Sequence, residues 1–86
     1  MARVTIRYGA AAKDAAGIPE EVVEARTLAE ALEVILARHP ADGRLRTVLN
    51  RSSFLVDGAQ ASRHLAAELV LHDSACVEVL PQFAGG

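Results

Sequence analysis

The chain opens on strict alternation. Val4, Ile6 and Tyr8 are separated by Thr5 and Arg7, a period of two that predicts a strand with one wet face. Gly9 ends it. The stretch from Ala10 to Ala16 is alanine-rich with Lys13 and Asp14 inside it, and it predicts a short helical turn closed by Gly17. Ile18-Pro19 restarts extended backbone, and Glu21-Val22-Val23-Glu24-Ala25 predicts a second strand. It lies too far from the first for a two-residue hairpin, so a longer connection joins the two.

The rhythm then changes to a helical one. Leu28, Ala31, Leu32, Ile35 and Leu36 share one stripe, with Glu30, Glu33 and Arg38 largely off it. Thr27 before the stripe and Glu30 three residues on form a capping box. Pro40 disfavours α backbone at the residue before it, so the helix stops near His39. Gly43 adds a break, and Leu45, Val48 and Leu49 predict a short amphipathic turn before Asn50. Phe54-Leu55-Val56 predicts a strand and Asp57-Gly58 a turn. Leu65 to Leu71 mixes apolar residues with Glu68, and His72-Asp73-Ser74 predicts a turn. Cys76 to Leu80 predicts the last strand, with Val77 and Val79 on one face and Glu78 on the other.

The expected order is strand, strand, long helix, strand, short strand, strand. That is an α+β chain, a mixed sheet covered on one face by one main helix, and the order suits a ubiquitin-like β-grasp. The expected division is a domain over residues 1–80 and a flexible C-terminal Gly-Gly tail over 81–86.

Composition narrows the function classes. The 86 residues make one domain, 51% of them hydrophobic, 23% charged, with a net charge of −2. There is no basic stripe for nucleic acid, and 3% aromatic residues give no stacking platform. Cys76 is the single cysteine, so no intrachain disulfide forms and no iron–sulfur cluster is held. A cytoplasmic location agrees with this, with no apolar h-region near the N-terminus and no run long enough to cross a membrane.

Side-chain chemistry offers little. His39, His64 and His72 do not pair at helical spacing and form no metal-ligand motif, so they are expected as polar surface or loop residues. Cys76, between Ala75 and Val77 in a strand, is expected as a small buried apolar residue rather than a nucleophile. Glu20, Glu21 and Glu24 form an acidic patch and Arg44, Arg46 and Arg51 a basic one, both expected to be solvated. What remains is Gly85-Gly86, after Pro81 and Phe83. A glycine carboxylate has no side chain beside it and can thread a narrow channel into another protein's active site. The six residues from Pro81 to Gly86 reach about 20 Å when extended.

Over its whole length the chain resembles the MoaD type of sulfur carrier, the small subunit of molybdopterin synthase. The resemblance rests on Val4-Thr5-Ile6-Arg7-Tyr8, on Ala10 to Gly17, on the helix Leu28 to His39, on Phe54-Leu55-Val56-Asp57-Gly58, and on the close from Val77 to Gly86. It implies that Gly86 is adenylated by a partner resembling the ubiquitin-activating enzyme, with ATP used by that partner and no cofactor bound by this chain. Gly86 is then converted to a thiocarboxylate, with sulfur supplied by a sulfurtransferase. The tail enters the large synthase subunit and gives its sulfur to a pterin precursor of molybdenum cofactor. Gly85 and Ala84 would thread the channel, Phe83 and Pro81 would meet the partner, and the catalytic side chains would belong to the partners. The family pattern has a bulky residue at Gly9, a second proline at Gln82, and Asp-Gly-Asp where this chain has Asp73-Ser74-Ala75. Relatives in this fold serve thiamine or cysteine synthesis, or modify proteins, and these alternatives stand beside the molybdopterin role.

Overall fold

The computed structural model describes residues 1–40 and 43–81, without the side chain of Arg63. The elements in order are β1 (Ala2–Tyr8), α1 (Ala10–Ala16), β2 (Glu20–Ala25), α2 (Leu28–Arg38), α3 (Arg44–Leu49), β3 (Ser52–Val56), β4 (Ala59–Ala61), a 3-10 turn (Arg63–Leu65) and β5 (Cys76–Pro81). The expected helical turn and main helix are both present, and the short strand falls at Ala59–Ala61.

The five strands form one sheet in the order β2-β1-β5-β3-β4. β1 runs parallel to β5, and the other pairings are antiparallel. The sheet is therefore mixed, and β5, last in sequence, lies in its centre. Ala2, Val4, Ile6 and Tyr8 of β1, Val23 and Ala25 of β2, Phe54 of β3, and Val77 and Val79 of β5 are buried on one face. Leu28, Ala31 and Ile35 of α2 and Leu45 and Leu49 of α3 complete that core, with Leu32 and Leu36 packed against it.

Local chemistry fixes the boundaries. Thr27 is extended, and its Oγ1 accepts from the Glu30 N–H at 3.2 Å, while Glu30 Oε1 accepts from the Arg26 N–H at 2.7 Å. This is the capping box, with the glutamate reaching one residue further back than the usual form. The next two free donors of the first turn meet backbone. Leu28 N–H donates to the Leu69 carbonyl at 3.0 Å and Ala29 N–H to that of Ala66 at 3.0 Å. Leu71 N–H donates back to the Arg26 carbonyl at 2.9 Å, and Thr27 bridges Val70. The stretch from Leu65 to Leu71 thus serves as a backbone cap for α2, satisfying donors that a helix start leaves open.

The β3–β4 connection is the two-residue turn Asp57-Gly58, with φ of +51° and +85°. Two positive φ values make the tight turn whose twist suits a hairpin. Ser74, at φ +71°, stands where the family pattern carries glycine.

Candidate functional site

β5 is hydrogen-bonded along both sides and ends at Pro81, which faces Ser52 of β3. A proline is tolerated there because the last residue of a strand can go without a ladder donor. Strand pairing thus extends one residue into the stretch expected as tail. The expected site residues Phe83, Ala84, Gly85 and Gly86 lie outside the described residues, as does Gln82. Pro81 is their root, and it is half-buried.

Around that root β1 presses closely on β5. Gly9 N–H donates to the Val79 carbonyl at 3.1 Å, and a Cβ on Gly9 would stand 3.3 Å from the same oxygen. The close approach suits the glycine found where the family pattern has a bulky residue. It leaves a shallow groove of about 130 Å³ lined by Arg7, Tyr8, Gly9, Glu78, Val79 and Leu80. Leu80 is 40% exposed beside it.

The sheet face away from the helices is open. It carries Arg3, Thr5 and Arg7 of β1, Glu20, Val22 and Glu24 of β2, Cys76, Glu78 and Leu80 of β5, and Ser53 and Leu55 of β3. Arg7 lies between Glu20 and Glu78 in register. The Arg7–Glu20 pair, at 3.9 Å with both side chains more than half exposed, contributes little stability. Cys76 is on this face and half-buried. It was expected inside the core, but strand parity gives the core positions to Val77 and Val79 and turns Cys76 outward with Glu78.

The acidic patch read from the sequence divides across the sheet. Glu20 and Glu24 face the open side. Glu21 shares the parity of Val23 and Ala25 and faces the helices at the sheet edge. Its carboxylate, in a side chain only 10% exposed, accepts from Tyr8 Oη at 2.5 Å, His39 Nε2 at 2.7 Å and Arg38 Nη1 at 3.0 Å. Burial opposes the ionisation of Glu21, but the bonds from Tyr8, His39 and Arg38 outweigh it and hold the carboxyl below its usual range. Burial first, and then the Glu21 carboxylate, push the Tyr8 phenol far above its ordinary range. This cluster ties β1, β2 and the end of α2 together. The sequence signals for it were a tyrosine ending a core-facing row and a histidine closing a helix.

At the other end of β5, Asp57 Oδ1 accepts from the Cys76 N–H at 2.9 Å and Oδ2 from His72 Nε2 at 2.5 Å, while His72 Nδ1 lies 2.7 Å from the Asp73 carbonyl. The Cys76 N–H and then His72 hold Asp57 low, and the Asp73 carbonyl and then Asp57 hold His72 high. Both ring nitrogens face acceptors, which fits an imidazolium joining the hairpin turn to the loop before β5. His64 is exposed within the 3-10 turn, and Arg44, Arg46 and Arg51 are exposed around α3. Among the described residues no helix is long and apolar enough to cross a membrane.

No family model and no curated protein matches the sequence. Solved structures do match the fold. Small archaeal modifier protein 1 from Methanosarcina acetivorans has a TM-score of 0.82 at 27% identity, covering 100% of this chain and 98% of its own. A putative molybdopterin converting factor subunit 1 from Pyrococcus furiosus has a TM-score of 0.78 at 21% identity, covering 96% and 100%. A chain in the complex of subunits 1 and 2 of molybdopterin-converting factor from Helicobacter pylori has a TM-score of 0.68 at 20% identity, covering 98% and 99%. The ubiquitin-like β-grasp expected from the sequence is thus present, and the two molybdopterin converting factor chains share that fold over 96% and 98% of this chain.

Proposed function

We propose that this chain is a ubiquitin-like sulfur carrier that works through the carboxylate of Gly86, as small subunit of a molybdopterin synthase. The observation that carries the proposal is a pairing. A chain with this fold carries Gly85 and Gly86 four and five residues beyond Pro81, the end of its central strand.

The chemistry follows from the carboxylate being a poor electrophile. A carboxylate oxygen attacks the α-phosphorus of ATP on an adenylating partner, pyrophosphate leaves, and an acyl-adenylate forms. A sulfurtransferase persulfide displaces AMP to form an acyl disulfide, a thiol then cleaves its S–S bond and leaves as the mixed disulfide with the sulfurtransferase, and the product is a thiocarboxylate. Its sulfur then passes to a pterin precursor inside the large subunit. The two-subunit complex of the Helicobacter pylori neighbour supports such a receiving partner. Gly85 and Ala84 thread the channel. Phe83 anchors the tail in a pocket of the large subunit, and truncating an aromatic anchor commonly costs about 2 kcal/mol or more of binding. The chain contributes no catalytic side chain, binds no cofactor and acts in the cytoplasm.

A second reading is a protein modifier joined through Gly86 to target lysines. It is favoured by the 27% identity to a small archaeal modifier protein. Both share the activation step, so the test must look past it. Intact-mass measurement after incubation with the cognate adenylating partner, ATP and a sulfur donor is expected to show one oxygen exchanged for sulfur. The chain lacking Gly86 stays unmodified with an unchanged melt. Loading of a tail-extended chain with no processing of the extension refutes the mechanism. Isopeptide conjugates in cells together with no sulfur transfer to the pterin precursor establish the modifier instead.

A further inference from the structure

β2 is an outer strand of the sheet, and its outward side is free of any strand among the described residues. The ladder shows which of its groups point outward. Tyr8 N–H donates to the Pro19 carbonyl at 2.9 Å, so the alternate residues Glu21, Val23 and Ala25 turn their backbone groups toward β1. Glu20, Val22 and Glu24 turn theirs away. The Val22 carbonyl is accordingly free to accept from Arg38 Nη1, at 2.8 Å. Beside this edge runs a groove of about 620 Å³ lined by Val22, Val23 and Glu24 of β2, Val34 and Arg38 of α2, and Met1 and Arg3 at the start of the chain. Met1 is 81% and Val22 43% exposed.

The side chains of the edge select a partner by charge. On the open face β2 presents Glu20, Val22 and Glu24, an acidic–apolar–acidic row. Its one neighbour, β1, answers that row with Arg7, Thr5 and Arg3 directly opposite. A second strand on the other side would meet the same row. Self-pairing of two copies about Val22 sets Glu20 against Glu24 at both ends, and like charges opposite one another are destabilising. We propose that the outer edge of β2 takes up an extended segment of a partner protein by strand addition. The segment carries a basic–x–apolar–x–basic pattern, its two basic residues repeating what Arg3 and Arg7 do on the inner side and its apolar residue meeting Val22. Its intervening side chains lie in the groove toward Val23 and Val34. Arg38 blunts the edge when it is empty and leaves the Val22 carbonyl when the strand arrives, while its bond to Glu21 holds. The site is separate from the tail and does not depend on the sulfur-carrier reading.

The test uses the full chain and a fluorescein-labelled peptide with the core Lys-Val-Val-Ala-Lys, flanked by serines, beside the same peptide with glutamate for lysine. Fluorescence anisotropy is expected to show saturable binding of the lysine peptide only. Two cross-strand charge pairs make the loss about two- to thirtyfold for Glu20→Gln with Glu24→Gln, with thermal melts confirming the fold. Arg38→Ala is expected to bind more tightly. Amide exchange followed by NMR supplies a readout independent of variants, in which the peptide slows exchange at Glu20, Val22 and Glu24. No binding at millimolar peptide overturns the proposal. So does binding that leaves those three amides unprotected, or equal binding of the glutamate peptide. A concentration-dependent dimer that protects the same amides and excludes the peptide also overturns it, and assigns the edge to a second copy of this chain.

Discussion

Replacing Glu21 by glutamine keeps its shape and removes its charge, and the geometry of the cluster sets the consequence. Tyr8 Oη and His39 Nε2 both address Oε2, and Arg38 Nη1 addresses Oε1. A glutamine must turn its NH2 toward one side or the other, so either Arg38 or the Tyr8–His39 pair loses its acceptor. Hydrogen bonds to a charged group contribute about 1.5–3 kcal/mol each, and the remaining bonds lose their charge assistance. Relief of the carboxylate's desolvation offsets part of this. The net cost comes to about 2 kcal/mol, or a fall of about 8–16 °C in Tm for a domain of this size. The sign of the pH dependence follows from the depressed carboxyl. Its stabilisation is present above the ordinary value of 4.5 and is lost as pH falls through the lower value of the folded state. Melts of the wild type and Glu21→Gln near neutral pH should therefore differ widely, and the curves should converge in acid. A cycle with Tyr8→Phe should give a coupling of about 1 kcal/mol. A difference under about 2 °C near neutral pH, or one that persists unchanged in acid, refutes the reasoning.

Ser74→Gly should raise stability by about 0.5–1 kcal/mol, because a left-handed φ costs an L-residue about 1–2 kcal/mol while glycine loses some backbone entropy on folding; denaturant titration checks it, and a loss of stability contradicts it. His72→Gln should destabilise more in mild acid than in base. The raised imidazole of the wild type contributes fully below 6.5 and loses its contribution as pH rises through the folded-state value, so paired melts across that window should converge at high pH. Cys76→Ala should retain sulfur loading by intact mass with a stability cost of about 1 kcal/mol or less, since the side chain is half-buried; lost loading on an intact fold would route the chemistry through the thiol. Phe83→Ala should lose at least about tenfold in affinity for the large subunit in a titration while the Tm stays put.

The elements with a strong period were legible from the residues alone. β1 alternates without a fault, and the capped stripe from Leu28 with its stop near His39 marked α2, Leu28–Arg38, to within one residue. The turn Asp57-Gly58 named its own geometry. What failed to show has physical reasons. The stretch from Leu65 to Leu71 does its work through backbone groups, capping α2 with the carbonyls of Ala66 and Leu69, and backbone bonding leaves no side-chain signature. β2 reads Glu-Glu-Val-Val-Glu-Ala, a pattern with no clean alternation, so parity was open. Val23 took the buried side and carried Glu21 with it. That arrangement is tolerated only because β1 and the end of α2 bring Tyr8, Arg38 and His39 to the same point. Cys76 illustrates the converse, since a small apolar residue suits either face and Val77 and Val79 claimed the core.

The central position of β5 bears on whether the two proposed partners can be served at once. A tail rooted on an edge strand could peel that strand away when drawn into another protein. β5 is paired with β1 on one side and β3 on the other, and it buries Val77 and Val79. Peeling it breaks two ladders at once and exposes side chains whose burial contributes about 1.5–3 kcal/mol each. Pull on the tail is therefore borne by the whole sheet. The outer edge of β2 lies two strands away, about 10 Å at the usual strand spacing. A strand added there extends the sheet laterally, away from Pro81 at the end of β5. Under the two proposals, occupying one place does not require vacating the other, and loading of the chain is expected to proceed at an unchanged rate with the basic peptide bound at the edge.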